Sequence, residues 1–200
     1  MIEQGIPLTF LYGIDRAIFI LINQTLSNPL FDFIMPYITE LDYWRIPIFL
    51  AWLSLIIFGG KKGRIVALLV VIILTASDQL SSAVIKPWVN RLRPCFALNN
   101  VRLLIDQSRS PSFPSSHAAN NAAMATLFSV QYKRYTIIFI SIALLVSYSR
   151  IYVGVHYPSD VLGGIFIGIL CSAMILLLEK LVRSIWPKIG LKHTKTEDDN

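Results

Sequence analysis

The stretch IVALLVVIILTASDQLSSAVIK, Ile65–Lys86, decides the fold. Its apolar run is long enough to cross the hydrocarbon core of a bilayer, which takes about 20 residues of helix. It carries one carboxylate, Asp78, and ends on a cation, Lys86, where the chain must return to water. One comparable run precedes it at Trp44–Phe58, and others follow at Ala118–Val130, Tyr135–Tyr152 and Val161–Leu178, so five spans are expected. The runs at 44–58 and 118–130 are short. The second of these also starts on polar residues, but its small side chains suit close packing inside a bundle, and it must join two firmer spans.

Upstream, IDRAIFILINQTL and NPLFDFIMPYITEL mix apolar residues with Asp15, Arg16, Asp32 and Glu40, and Asn28 and Pro29 mark the break between them. Those charges predict two helices lying in the membrane interface, with a sixth span as the alternative. The expected fold class is all-α, a polytopic membrane helix bundle with five or six transmembrane helices. Residues 1–43 form its N-terminal segment, 44–186 the core, and 187–200 a disordered cytoplasmic tail ending TKTEDDN. Glu3 and Asp15, with no basic start or small-residue cleavage site, argue against a signal peptide.

Composition agrees. Hydrophobic residues make up 54% of the chain and charged ones 15%, where soluble domains carry about 25% charge. The mean hydropathy is +0.60. The net charge of +6 does not point to nucleic acid, because the basic residues flank apolar segments instead of forming one polar module. Ten of the 18, at Lys61, Lys62, Arg64, Lys133, Arg134, Lys180, Arg183, Lys188, Lys192 and Lys195, fall on one side, which should be cytoplasmic. The connection from Lys86 to Ser116 and the turn around His156 then face outward. There Lys86, Arg91, Arg93, Arg102, Arg109 and Arg150 run against the topological preference and need another reason to exist. Cys95 lies in a polar connection and Cys171 in mid-span, so no disulfide joins them.

Three segments on that outer face carry chemistry. In KPWVNRLRP, Lys86–Pro94, a lone Lys86 would simply snorkel to the headgroups. In FPSSHAANNAA, Phe113–Ala123, Ser115 or Ser116 can cap a helix, and a helix start can also hold a phosphate. In SRIYVGVHYPSD, Ser149–Asp160, Pro158 suits a first helical turn and puts Asp160 near His156. That carboxylate either serves the helix dipole or keeps one imidazole nitrogen protonated so that the other can attack. Together the segments supply cations, hydroxyls, two histidines and a carboxylate on one face, an inventory for phosphoryl transfer.

The order and spacing of Lys86, Arg93-Pro94, Pro114-Ser115-Ser116-His117, Ser149-Arg150, His156 and Asp160 resembles the three-part signature of the type 2 phosphatidic acid phosphatase (PAP2) family, relatives of the vanadium haloperoxidases. The resemblance implies a PAP2/haloperoxidase-like helical core in its membrane branch. It further implies a phosphatase in which His156 is the nucleophile and forms a phosphohistidine, Asp160 orients it, and His117 protonates the leaving oxygen. Lys86, Arg93, Ser115, Ser116 and Arg150 would hold the phosphoryl oxygens. No metal or cofactor enters that scheme, and the sequence has no metal-ligand cluster beyond two separated histidines. The family usually has glycine where Ser116 stands, so the pocket is expected to be tighter or to gain a hydroxyl contact.

The implied partner is a phosphorylated lipid held by the bilayer of a bacterial inner membrane, with the site facing the periplasm or exterior. Undecaprenyl diphosphate is the preferred substrate reading, with lipid A, phosphatidate and phosphatidylglycerophosphate as alternatives. The rival of another class is a non-catalytic protein that binds or carries phospholipid, which would need the cations but not His156, Asp160 and His117. Gly164 and Gly168 are expected to serve close packing within the chain, and Asn120 and Asn121 to line the pocket or bond to neighbouring helices.

Overall fold

The structure is a computed structural model that describes residues 6–106 and 109–194. Helix α1 (Ile6–Ile20) runs through a π-helical turn at Leu21–Thr25 and meets α2 (Pro29–Thr39) at 115°. Asn28 starts α2 by accepting the Phe31 N–H at 2.9 Å, and Pro29 fills the first position, where a missing donor costs nothing. Then come α3 (Leu41–Phe58) and α4 (Gly60–Gln79), which continues through a π-helical segment at Leu80–Ile85 into α5 (Lys86–Val89). Short α6 (Pro94–Ala97), α7 (Ser116–Gln131), α8 (Thr136–Tyr152) and α9 (Pro158–Thr194) complete an all-helical chain, with no strand among the described residues.

Four stretches are long and apolar enough to cross a membrane: Leu41–Phe58, Gly60–Ala97, Lys133–Tyr152 and Pro158–Ile185. The bent α1–α2 pair makes a fifth if it counts as one span. Helix α3 buries no residue against the rest of the chain, and its apolar surface is the kind that lipid covers. Helix α7 is not among the four. It has 16 residues, about 24 Å of rise at 1.5 Å each, and it packs against α4, α8 and α9 at the centre of the bundle. Ala118, Ala119, Ala122, Ala123 and Ala125 are buried there, so the run read as a weak third span is the hub that the other helices enclose. Val66, Leu69 and Ile73 of α4 close over Ala123 and Leu127 on one side of it. Phe19 joins Ala118, Ile151, Tyr157 and Val161 on the other, tying α1 to the bundle.

Small residues set the α7–α9 distance. A Cβ added at Gly164 would overlap the Ser115 carbonyl oxygen, and one at Gly168 the Ala119 carbonyl oxygen, so the GxxxG step is packing within the chain. Gly168→Val is expected to cost about 1–3 kcal/mol or more, because backbone and not a mobile side chain blocks the way. Thermal unfolding in detergent checks this against Gly13→Ala, whose added Cβ meets nothing within 4 Å.

Two expectations change. Asp15 and Asp32 do not reach for headgroups. Asp15 is 7% exposed and bonded to Arg91 and Ser159, while Asp32 pairs with Arg102 and accepts the Tyr152 hydroxyl at 2.7 Å. Neutralised by partners inside the protein, these charges say nothing about an interfacial location. At the other end, the backbone of α9 stays helical through Thr194, past the Trp186 boundary and into the segment read as disordered tail. An established helix adds one hydrogen bond per residue fixed, so it propagates where a new one would not start. Residues 195–200 of that tail lie outside the described residues.

Candidate active site

Each of the three segments is delivered by a local feature. Helix α5 ends at Asn90, whose left-handed φ of 47° turns the chain, and Arg93 precedes the Pro94 start of α6. Ser115 caps α7 by accepting the Ala118 N–H at 3.4 Å, and its own N–H donates to the Asp160 carbonyl at 2.9 Å. After α8 the chain reverses at Gly154, where φ is +90° and a Cβ would lie 2.5 Å from the Arg102 carbonyl oxygen; glycine is required on both counts. The N–H groups of Val155 and His156 then both reach the Arg150 carbonyl at 3.3 Å. A bond from the Ser112 N–H to the Arg91 carbonyl at 2.8 Å ties the first segment to the loop before the second.

At the centre, the Arg93 Nη1 stands 3.0 Å from His156 Nε2. A guanidinium can only donate, so Nε2 accepts, and in the neutral ring the proton sits on Nδ1. Nδ1 faces Asp160 Oδ2 at 3.6 Å, too long for a hydrogen bond, and Oδ2 accepts the Tyr157 N–H at 2.8 Å instead. His156 and Asp160 are 1% and 0% exposed. Arg93 also donates to the Val155 carbonyl at 3.1 Å, the Ser110 carbonyl at 2.8 Å and the Ser110 hydroxyl at 3.0 Å. Buried Arg150 donates from Nη1 to the Thr39 hydroxyl at 2.7 Å. The charges of Lys86, Arg93 and Arg150 are all felt at both His117 and His156.

Burial first, and then Arg150, Arg93 and Lys86, hold the His156 imidazole well below its ordinary pKa of 6.5. The ring is therefore neutral at pH 7, with its Nε2 lone pair engaged by Arg93. In the unfolded chain the same ring takes up a proton near pH 6.5, so the stability it contributes is complete above that pH and lost as the pH falls below it. Thermal unfolding in detergent from about pH 8 to about pH 5 should show that slope, reduced in His156→Gln.

A cavity of about 250 Å³ is lined by His117 and Arg150 together with Thr39, Glu40, Asp42 and Asp106. The structure thus brings the sequence-predicted Lys86, Arg93, Ser115, His117, Arg150, His156 and Asp160 to one place. Ser116 behaves differently. Its hydroxyl lies 3.0 Å from that of Ser82, so it is held against the π-helical segment after α4. Asn120 donates to Asp78 at 3.3 Å and Asn121 to the His117 carbonyl at 2.9 Å, so both amides have helix partners.

A family model described as the PAP2 superfamily matches residues 64–183, which hold all of these segments. The chain belongs to the PAP2 superfamily. It is 31% identical to a lipid A 4'-phosphatase of Bacteroides thetaiotaomicron over 168 residues, 80% of this chain and 74% of the relative. It is 35% identical to an undecaprenyl-diphosphatase of Sulfolobus acidocaldarius over 160 residues, 78% of this chain and 74% of that one. The crystal structure of LpxE from Aquifex aeolicus superposes with a TM-score of 0.70 at 31% identity, covering 82% of this chain and 94% of the other.

Beyond the PAP2 signature, the structure adds residues that sequence reasoning left out of the site. Arg91 was visible only as a cation on the wrong side of the membrane, and Asp15 only as a charge in an apolar helix. Thr39 gave no signal at all. The rule that could have found Asp15 is that a carboxylate in an apolar helix needs an internal partner, but sequence alone does not say which.

Proposed function

We propose that this protein is a membrane lipid phosphatase that takes a phosphate from a lipid phosphate or diphosphate at the outer face of a bacterial inner membrane. The observation that carries the reading is the neutral His156, whose Nε2 lone pair points at the Arg93 guanidinium 3.0 Å away. Phosphoryl oxygens would take over that donor, and the lone pair would then face phosphorus. His117, kept neutral at rest by burial and the neighbouring cations, takes up a proton when the phosphate's negative charge enters beside it. As the Nε2–P bond forms and the P–O bond to the lipid breaks, it gives that proton to the departing oxygen. Asp160 stabilises the positive ring by accepting from Nδ1. Water then splits the phosphohistidine, with His117 taking a proton from it. Lys86, Arg93, Arg150, Ser115 and the N–H groups at the start of α7 balance the charge that spreads over the phosphoryl oxygens.

Two substrate readings follow from different observations. The likeness to an undecaprenyl-diphosphatase supports an isoprenyl diphosphate. The cavity at His117 supports a monoester such as lipid A or phosphatidylglycerophosphate. A diphosphate would send an anionic phosphate out past Glu40 and Asp106, whereas a monoester releases a neutral alcohol. The test is phosphate release by purified protein in detergent with EDTA, from undecaprenyl diphosphate, phosphatidate, phosphatidylglycerophosphate and lipid A. Release is expected, and its rank order decides between the readings. A protein that binds these lipids but releases phosphate from none of them is a carrier, and the proposal fails.

A further inference from the structure

We propose that Asp15, Arg91 and Ser159 form a clamp that positions Asp160 and, through it, His156, which makes α1 a working part of the active site although it lies outside the stretch the family model matches. The inference rests on His156 being the nucleophile. Arg91 reaches three groups at once. Its Nη1 donates to Asp160 Oδ1 at 2.6 Å and to the Ser159 hydroxyl at 2.7 Å, and its Nη2 donates to Asp15 Oδ2 at 2.6 Å. Asp15 closes the ring by accepting the Ser159 N–H at 2.8 Å on Oδ1 and the Ser159 hydroxyl at 2.6 Å on Oδ2. The guanidinium also lies over the Tyr157 ring, 4.0 Å from its centroid, so its plane is held as well as its tips.

The consequence falls on Asp160. Its Oδ1 is tied by Arg91 and its Oδ2 by the Tyr157 N–H, which leaves Oδ2 one lone pair, facing Nδ1 at 3.6 Å. A small turn of the ring within its pocket that carries Nδ1 toward Asp160 would bring that contact to about 2.9 Å. For this to work the carboxylate must not follow the ring or turn away from it; the Tyr157 N–H and the Ser112 side chain act on the same group, and the clamp fixes Oδ1. A single cation beside Asp160 would supply the charge alone. Sharing that cation with a second buried carboxylate on α1, whose side chain is 8% exposed, fixes its position too. These residues touch no phosphoryl group, so they are positioning residues and not catalytic ones.

Asp15→Asn, Arg91→Lys and the double variant test this with the four lipid phosphates named above. Lysine keeps the charge but lacks the rigid planar fork that holds Asp15, Ser159 and Asp160 at fixed positions. Each single variant is expected to lower kcat about 10- to 100-fold, the cost of misplacing a reacting group by a fraction of an ångström to an ångström. KM and competitive inhibition by inorganic phosphate should stay within about twofold, and the double variant should be no slower than the worse single one. An unchanged kcat, additive losses in the double variant, or a fall in kcat matched by weaker phosphate inhibition and a lower unfolding temperature would each overturn the proposal. If the wild-type protein releases no phosphate, or His156→Ala does not stop the release, the underlying function is wrong. That outcome is read from separate lanes of the same assay.

Discussion

His156→Ala is expected to lower phosphate release by about four orders of magnitude or more, as loss of a nucleophile does elsewhere, while the protein stays folded and still binds lipid phosphate. The size of the effect follows from the geometry. Lys86, Arg93 and Arg150 act as charges on a bound phosphoryl group and survive the substitution, but they offer no lone pair, and His117, the other imidazole beside them, serves the leaving oxygen in this scheme. His156 is also 1% exposed, so a methyl group leaves a closed space in which a water is not oriented for attack. Retained binding with lost turnover is the signature sought. It is read by phosphate release at saturating substrate beside a direct measurement of lipid phosphate binding. If release persisted within tenfold of wild type, the covalent scheme would be wrong even though the family assignment stands.

The second large effect is at His117. It lines, with Arg150, the cavity through which the lipid moiety would leave in this scheme. An alkoxide is too basic to depart without a proton, and general acid catalysis is worth about 10²–10⁴ in rate. His117→Asn is therefore expected to lose that factor on a lipid phosphate. On a p-nitrophenyl phosphate ester the loss should fall below about tenfold for formation of the phosphoenzyme, because nitrophenolate leaves without help. The contrast between the two substrates, and not the loss itself, identifies the acid. Equal losses on both would mean that His117 acts on binding or on folding.

The family was readable in the chain because phosphoryl transfer asks for a short menu of residue types, and Lys86, Arg93, His117, Arg150, His156 and Asp160 occur in the order of the PAP2 signature. Local features were readable for a related reason: Asn28-Pro29, Ser115 and Pro158 act within one turn of themselves, so their neighbours in sequence suffice. What could not be read were pairings across long separations. Arg91 meets Asp15 76 positions away, and Arg150 meets Thr39 111 positions away; one sequence contains no record of either encounter. Lacking partners, Asp15 and Asp32 were given the default meaning of charge near a membrane, an interfacial helix. Helix α7 shows a second limit. Apolarity says that a segment avoids water but not whether lipid or other helices surround it, and the alanines of α7 face helices. Ser116 shows a third, since a residue that departs from its family's pattern can satisfy itself elsewhere, here against Ser82.

The most direct measurement is to trap the intermediate. Wild-type protein mixed with a ³²P-labelled lipid phosphate and quenched in alkali, where phosphohistidine survives and acyl phosphates do not, should carry label on the peptide containing His156. In His117→Asn the labelled fraction should fall on a lipid phosphate, where formation of the phosphoenzyme loses its acid, and rise on ³²P-labelled p-nitrophenyl phosphate, where only water attack still needs His117. Label on His156 that forms and decays at the rate of turnover is the predicted result. Turnover at full rate with no label on His156, and with inversion at phosphorus instead of the retention that two displacements give, would contradict the account.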